Sequence, residues 1–234
     1  MVYRRRAYRR SYRRKGFFAR MSMTDTLIFI NVLVFFIILI AALSGFLEFV
    51  INYFALNPSS FFQGYIWTPL TSMFMHVLFL HLFVNMISMF FIGNFVERLI
   101  GRKRYLWFYM ISGIVASLFF VGFAYLGLFV SGGEALFGGF DMPAIGASGA
   151  LFGLGGLLAV LIPRLKVLIF FIIPMPMWLA MTVLMFGLWI FSVTAGLPVG
   201  NTAHFGGLLV GVAYGFYLRK RYSRKIKMLN KMFG

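Results

Sequence analysis

From Leu27 to Leu47 the chain runs for 21 residues without one charged side chain. A helix of that length matches the roughly 30 Å hydrocarbon core of a bilayer, which takes about 17 to 25 residues to cross. Further apolar segments follow at about Met75 to Val96, Tyr105 to Val130, Ile145 to Ile162, Pro176 to Val193 and Thr202 to Leu218. Hydrophobic residues make up 62% of the chain and charged residues 12%, against about 45–50% and 25% in a soluble domain. The sequence therefore predicts an all-α, polytopic membrane protein: one bundle of six transmembrane helices.

The net charge of +17 would suggest nucleic acid in a soluble protein, so the placement of the basic residues matters more than their number. All 22 fall in four clusters, Arg4 to Arg20, Arg98 to Arg104, Arg164 with Lys166, and Arg219 to Lys231. Six crossings bring all four to one side, and the positive-inside rule makes that side cytoplasmic. Both termini are then cytoplasmic, with residues 1–24 and 219–234 as basic tails around a membrane domain of residues 25–218. The tails are expected to meet anionic lipid headgroups, and no nucleic-acid partner is expected. The first apolar run is too long for the h-region of a cleaved signal. With no cysteine there is no disulfide or thiolate chemistry. The expected location is the cell membrane, as a multi-pass protein.

Polar side chains inside a bilayer are costly and mark function by default. Under this topology Ser148, near the outer start of the fourth segment, lies at the depth of His204, near the outer start of the sixth. His76, His81 and Asn85 enter from the same side on the second. Gly149 and Gly153 on the fourth segment, and Gly207, Gly211 and Gly215 on the sixth, repeat every four residues. Such small-residue stripes let backbones approach closely. Val167 to Ile173 lies between prolines that forbid one continuous helix there, so the fifth segment begins near Pro176.

A serine needs a base to take its proton, and the neutral imidazole of His204 is the nearest. No third member is evident, because Glu97 lies at the cytoplasmic end and Asp141 in an outer loop. The expectation is a dyad, with Phe152 one turn below Ser148 as support for the imidazole. An oxyanion would be met by the Ser148 amide at a helix start, and by His81 and Asn85, which share a helix face at i, i+4. The alternative for that pair is interhelical glue, and His76, at the mouth of its segment, either supports the site or only braces the loop. No cofactor and no metal is called for: three histidines without a carboxylate make a thin metal site. The competing classes are a metal or solute transporter and a membrane protein that binds clients without cutting them.

Gly146-x-Ser148-Gly149, Ala203-His204-x-x-Gly207, His76 with His81-x-x-x-Asn85, and Gly93-x-x-x-Glu97-x-x-x-Gly101 occur in one chain. Together they resemble the rhomboid intramembrane serine proteases, over about Leu27 to Leu218. The resemblance implies cleavage of single-pass or other membrane-anchored proteins at or near their transmembrane segments, at a site opening to the extracytoplasmic side. Two positions depart from the family pattern. Trp67 is followed by Thr68 where the family often has arginine, and Phe152 stands where it often has tyrosine.

Overall fold

The computed structural model describes residues 21–169, 172–197 and 200–233. The tyrosine- and arginine-rich tail therefore lies outside the described residues, save its last four. The first helix, α1 (Met23–Leu43), begins two residues inside the segment read as tail and stops four before Leu47. Ser22 explains the start. Its hydroxyl accepts from the Asp25 amide at 2.9 Å while the Asp25 carboxylate accepts from the Ser22 amide at 3.3 Å, a reciprocal cap.

The stretch between the first two apolar segments, whose residues 52–71 are too interrupted by proline, glycine and polar side chains to span, folds into short helices, α2 (Leu47–Phe54), α3 (Pro58–Phe62) and α4 (Thr68–Thr71). Asn57 caps α3 and Pro58 opens it, as a missing N–H permits. Next come α5 (Phe79–Ile100) and α6 (Arg102–Gly127). The glycine-rich loop holds a short α7 (Gly133–Phe137). Then follow α8 (Ser148–Leu161), α9 (Met177–Ala195), α10 (Asn201–Arg221) and, after a break at Tyr222, α11 (Ser223–Phe233). Wide π-type turns interrupt α5 at Met89–Gly93 and α9 at Val183–Gly187.

Among the described residues four helices, α1, α5, α6 and α9, are long and apolar enough to cross a membrane. The 14-residue α8 is shorter, about 21 Å at 1.5 Å per residue, and almost wholly buried. It is the core around which the longer helices stand. The 21-residue α10 is long enough, but its glycines and its terminal Arg219, Lys220 and Arg221 lower its hydropathy.

The expectation of an all-helical chain needs one correction. The described ends of the stretch 167–173 lie in two antiparallel strands, β1 (Lys166–Ile169) paired with β2 (Ile173–Pro176). Pro163 ends the helical run before it, and Pro174 and Pro176 keep the return strand extended. As anticipated from the prolines, α9 starts directly after Pro176, which is its N-cap.

The glycine stripes set the core. A Cβ on Gly207 would strike the carbonyl oxygen of Gly149, and one on Gly211 that of Gly153, while one on Gly215 would stand 3.3 Å from that of Leu157. The pairing 149 with 207, 153 with 211 and 157 with 215 makes α8 and α10 parallel and in backbone contact. On the other side of α8, a Cβ on Gly149 would lie 2.6 Å from the Ala116 Cβ of α6.

At the opposite end from Ser148, Glu97 of α5 receives the start of α1. Its carboxylate accepts from the Met23 and Thr24 amides, each at 2.8 Å, and from the Thr24 hydroxyl at 2.7 Å. A carboxylate at a helix N-terminus satisfies free N–H groups and complements the helix dipole. Glu97 is thereby a cap for the start of α1. Glu97→Ala should lower stability by about 1.5–3 kcal/mol, as for hydrogen bonds to a charged group, and Gly211→Val by about 1–3 kcal/mol through overpacking. Melting in detergent checks both, and an unchanged melting temperature for either would contradict the contact assigned to it.

Candidate active site

Ser148 is the first residue of α8, rather than one buried three residues into it. Among the described residues, the amides of Ser148, Gly149 and Ala150 take no hydrogen-bond partner, as expected at a helix start. The approach to that start is held by backbone. Leu56 and Ala144 exchange hydrogen bonds of 3.1 and 2.7 Å, the Ser59 amide donates to Phe140 at 3.1 Å, and the Gly146 amide donates to the Ser72 carbonyl at 2.9 Å. These tie the loop before Ser148 to the segment between α1 and α5.

Gly146 itself has φ +120°, which residues with a Cβ rarely adopt. A Cβ there would also stand 2.7 Å from Cε1 and 2.9 Å from Nε2 of His81. Both facts require glycine, so the first glycine of the serine motif makes room for a histidine of another helix. The second, Gly149, makes room for α6 and α10.

His204 comes from the first turn of α10, with its amide bonded to the Gly200 carbonyl at 3.0 Å. The start of that helix is fixed by Asn201, which donates to the Ser192 hydroxyl at 2.5 Å, and by Thr202, which donates to the Phe137 carbonyl at 3.1 Å. Sequence reasoning passed over both residues, although a buried asparagine at a helix start was the available signal. The result is that His204 Nε2 lies 2.8 Å from Ser148 Oγ. The Phe152 ring stacks on the imidazole, with centroids 4.4 Å apart and planes within 12°. His204 Nδ1 is buried and has no partner among the described residues.

Of the remaining predicted residues, His76 is not on the second span at all: α5 begins at Phe79, and His76 sits in the non-helical segment before it. It is fully buried, its Nε2 accepts from the Ala147 amide at 3.5 Å, and its ring meets that of His81 edge-on at 5.0 Å. His81 and Asn85 lie on α5 as expected, but Asn85 Nδ2 donates to the His81 carbonyl at 2.8 Å within the helix. Where Thr68 replaces the family's arginine, its hydroxyl donates to the Tyr65 carbonyl at 2.8 Å. The Trp67 indole bonds to the Tyr53 carbonyl at 2.9 Å.

Ser148, His204, His81 and Asn85 line one cavity of about 1030 Å³. It extends between α5 and α9, past Ser88 and Met181, to β1. Its walls are mainly apolar, and no Asp or Glu lines it. Among the described residues no three His, Cys, Asp or Glu side chains gather as metal ligands would.

A model of the rhomboid domain matches residues 63–221, which is most of the chain and contains Ser148, His204, His76, His81, Asn85 and Phe152. The chain belongs to the rhomboid family. Rhomboid protein 1, mitochondrial, of Saccharomyces cerevisiae is 32% identical over 158 residues, covering 66% of this chain and 42% of that protein. The rhomboid protease GluP of Bacillus subtilis is 30% identical over 191 residues, covering 81% of this chain and 33% of its own. Inactive RHOMBOID-like protein 8 of Arabidopsis thaliana is 37% identical over 91 residues, covering 39% of this chain and 22% of its own. The chain spans between 33% and 52% of the length of the first three curated relatives it matches. The family thus contains proteases and a member named inactive, and this rhomboid is an integral membrane protein by its apolar helices.

The geometry gives Gly146 a specific role in this rhomboid. Gly146→Ala should shift the His81 ring and strain the turn, lowering stability by about 1–3 kcal/mol. Gly138→Ala also meets a positive φ, of 99°, but against Phe120 and away from His81. Reactivity of Ser148 toward a fluorophosphonate should fall in the first variant and hold in the second. Equal reactivity per folded molecule would remove the link between Gly146 and the site.

Proposed function

We propose that this chain is an intramembrane serine protease that cuts membrane-anchored proteins at or near their transmembrane segments. The observation that carries the reading is the 2.8 Å contact between Ser148 Oγ and His204 Nε2, in a cavity that also runs between the apolar helices α5 and α9. Neutral His204 takes the hydroxyl proton as Oγ attacks the scissile carbonyl carbon. The tetrahedral intermediate collapses with cleavage of the C–N bond, and protonated His204 gives its proton to the leaving amine. Water then attacks the acyl-enzyme with His204 again as base, releasing the acid and restoring Ser148.

The oxyanion would meet the free amides at the start of α8, with Ser148 the nearest, in a low-dielectric site where such donors count most. His81 and Asn85 supply side-chain donors. For Asn85 this requires one N–H to point into the cavity while the other keeps its bond to the His81 carbonyl, which an amide with two donors allows. His76 holds the Ala147 amide and so the turn that presents Ser148. Phe152 fixes the plane of the imidazole, and Gly146 and Gly149 give the clearances described above.

The topology proposed with this function has six crossings, α8 and α10 being the two with lower length or hydropathy. Both termini are cytoplasmic, the location is the cell membrane, and the site opens on the extracytoplasmic side. Residues 25–218 form the catalytic domain between basic tails of residues 1–24 and 219–234, which meet anionic headgroups.

Two experiments test this. In the cysteine-free chain, cysteines at the exposed Glu134 and Leu197 should label from outside, and those at Lys103 and Lys220 should not. Labelling of positions 134 and 103 from one side would overturn the topology. For the chemistry, Ser148→Ala, His204→Ala and the double variant should be equally inactive on a transmembrane reporter, since a nucleophile and its base act as a unit. Asn85→Ala should lower kcat by about 10²–10³ with KM nearly unchanged. Full activity of Ser148→Ala would sink the protease reading. A lowered melting temperature with normal kcat in Asn85→Ala would leave that residue as packing.

A further inference from the structure

The hairpin between α8 and α9 has two edges of different chemistry. Its register pairs Lys166 with Pro176, Val167 with Met175, Leu168 with Pro174 and Ile169 with Ile173. The Met177 amide bonds to the Leu165 carbonyl at 2.8 Å just outside it. Hydrogen-bonded and non-bonded pairs alternate in an antiparallel ladder. Leu165 with Met177 is a bonded pair, so 167 with 175 and 169 with 173 are bonded too. The pairs containing Pro174 and Pro176 are then the non-bonded ones, in which N and C=O point away from the partner strand. On β2 the outward nitrogens belong to proline, so that edge offers no donor, a standard protection against strand pairing. On β1 the outward groups are the N–H and C=O of Lys166 and Leu168, which have no partner among the described residues.

That open edge is not turned to bulk solvent alone. Lys166, Val167, Leu168 and Ile169 line the same cavity as Ser148 and His204, and no residue of β2 does. Leu168 is 58% exposed, whereas Ile169 is buried. Backbone N–H and C=O groups left unpaired beside apolar walls are costly, and a third strand satisfies them. Lys166, with Arg164 beside the strand and no acidic residue in the hairpin, sets the charge such a strand should carry. The same lysine disfavours pairing with the β1 edge of a second copy, where like charges would face each other.

We propose that the free edge of β1 is a docking site for an extended polypeptide with a carboxylate near Lys166: the cytoplasmic juxtamembrane segment of a membrane-anchored substrate. This rests on the protease reading and on the cytoplasmic placement of the hairpin. Main-chain hydrogen bonds to Lys166 and Leu168 give the docking its affinity, and Lys166 gives it a preference for acidic segments. The site would hold a substrate at a second place, at the far end of the cavity from the serine.

The test uses the full chain reconstituted in vesicles with a single-span reporter whose cytoplasmic segment carries a glutamate. Leu168→Cys supplies the chain's only thiol, and single cysteines are stepped through six successive cytoplasmic positions of the reporter. Disulfide yield should alternate strong and weak with period two, as strand addition requires. In parallel, Leu168→Pro removes one outward donor without touching the β1–β2 ladder. It should raise KM roughly three- to tenfold, as for one hydrogen bond, with kcat and melting temperature held, while Leu168→Ala stays near wild type. If Leu168→Pro fails to fold, the disulfide pattern decides alone. Trapping that is absent or without alternation, or a Leu168→Cys disulfide between two copies, would overturn the proposal. Fluorophosphonate labelling of Ser148 and reporter cleavage would then show whether the protease reading still stands.

Discussion

The fit of α10 against α8 is the contact on which the rest depends. Ser148 and His204 come from different helices, so the distance between them is set by how closely two backbones approach. Gly207 packs on the Gly149 carbonyl and Gly211 on that of Gly153, each where a methyl group could not stand. Without hydrophobic driving force between helices in lipid, such close packing is itself a main source of helix affinity. One feature thus supplies cohesion and the 2.8 Å hydroxyl–imidazole contact. A larger residue at any of these glycines would be felt as a displaced His204 imidazole, even from Gly211, seven residues further along the helix.

The opposite end of the molecule solves a different problem. There α1 arrives with its N-terminal amides unpaired, and Glu97 meets two of them together with the Thr24 hydroxyl. Gly93, one turn before Glu97, leaves space for the Tyr105 hydroxyl, 2.6 Å from where a Cβ would be, and for Thr24. The glycine–glutamate spacing at the end of α5 is therefore a seat for α1 and α6. It holds the outer helices in place around α8 without taking part in chemistry.

What could be read from the chain divides along the same physical lines. Ser148, His204, Phe152 and the glycine stripes were legible because helical periodicity carries them: residues three or four apart share a face, and the polar ones are conspicuous against an apolar background. Pro176 as the start of α9 was legible because proline acts locally. His76 was misplaced because an apolar run does not reveal where helix begins within it. The non-helical backbone from Met75 to Leu78 follows the loop hydrogen bonds around Ser72 and Gly146, which join residues over 70 positions apart. The hairpin was hidden for a related reason. Seven apolar residues between prolines exclude a helix without specifying a strand, and pairing depends on Met175 and Pro176 returning alongside.

The absence of a carboxylate behind His204 follows from the setting. An orienting acid would have to be buried as a charge beside the His204 imidazole inside the bundle, where desolvation is expensive. Stacking avoids that cost. The Phe152 ring, 4.4 Å from the imidazole and nearly parallel to it, restricts ring rotation by contact alone. Nε2 stays directed at Ser148 Oγ while Nδ1 carries no bond in the described structure. Geometry is thus held by packing rather than by charge, which suits a medium of low dielectric. The contact is made by the face of the Phe152 ring, which a phenylalanine presents as fully as the tyrosine often found at this position in the family.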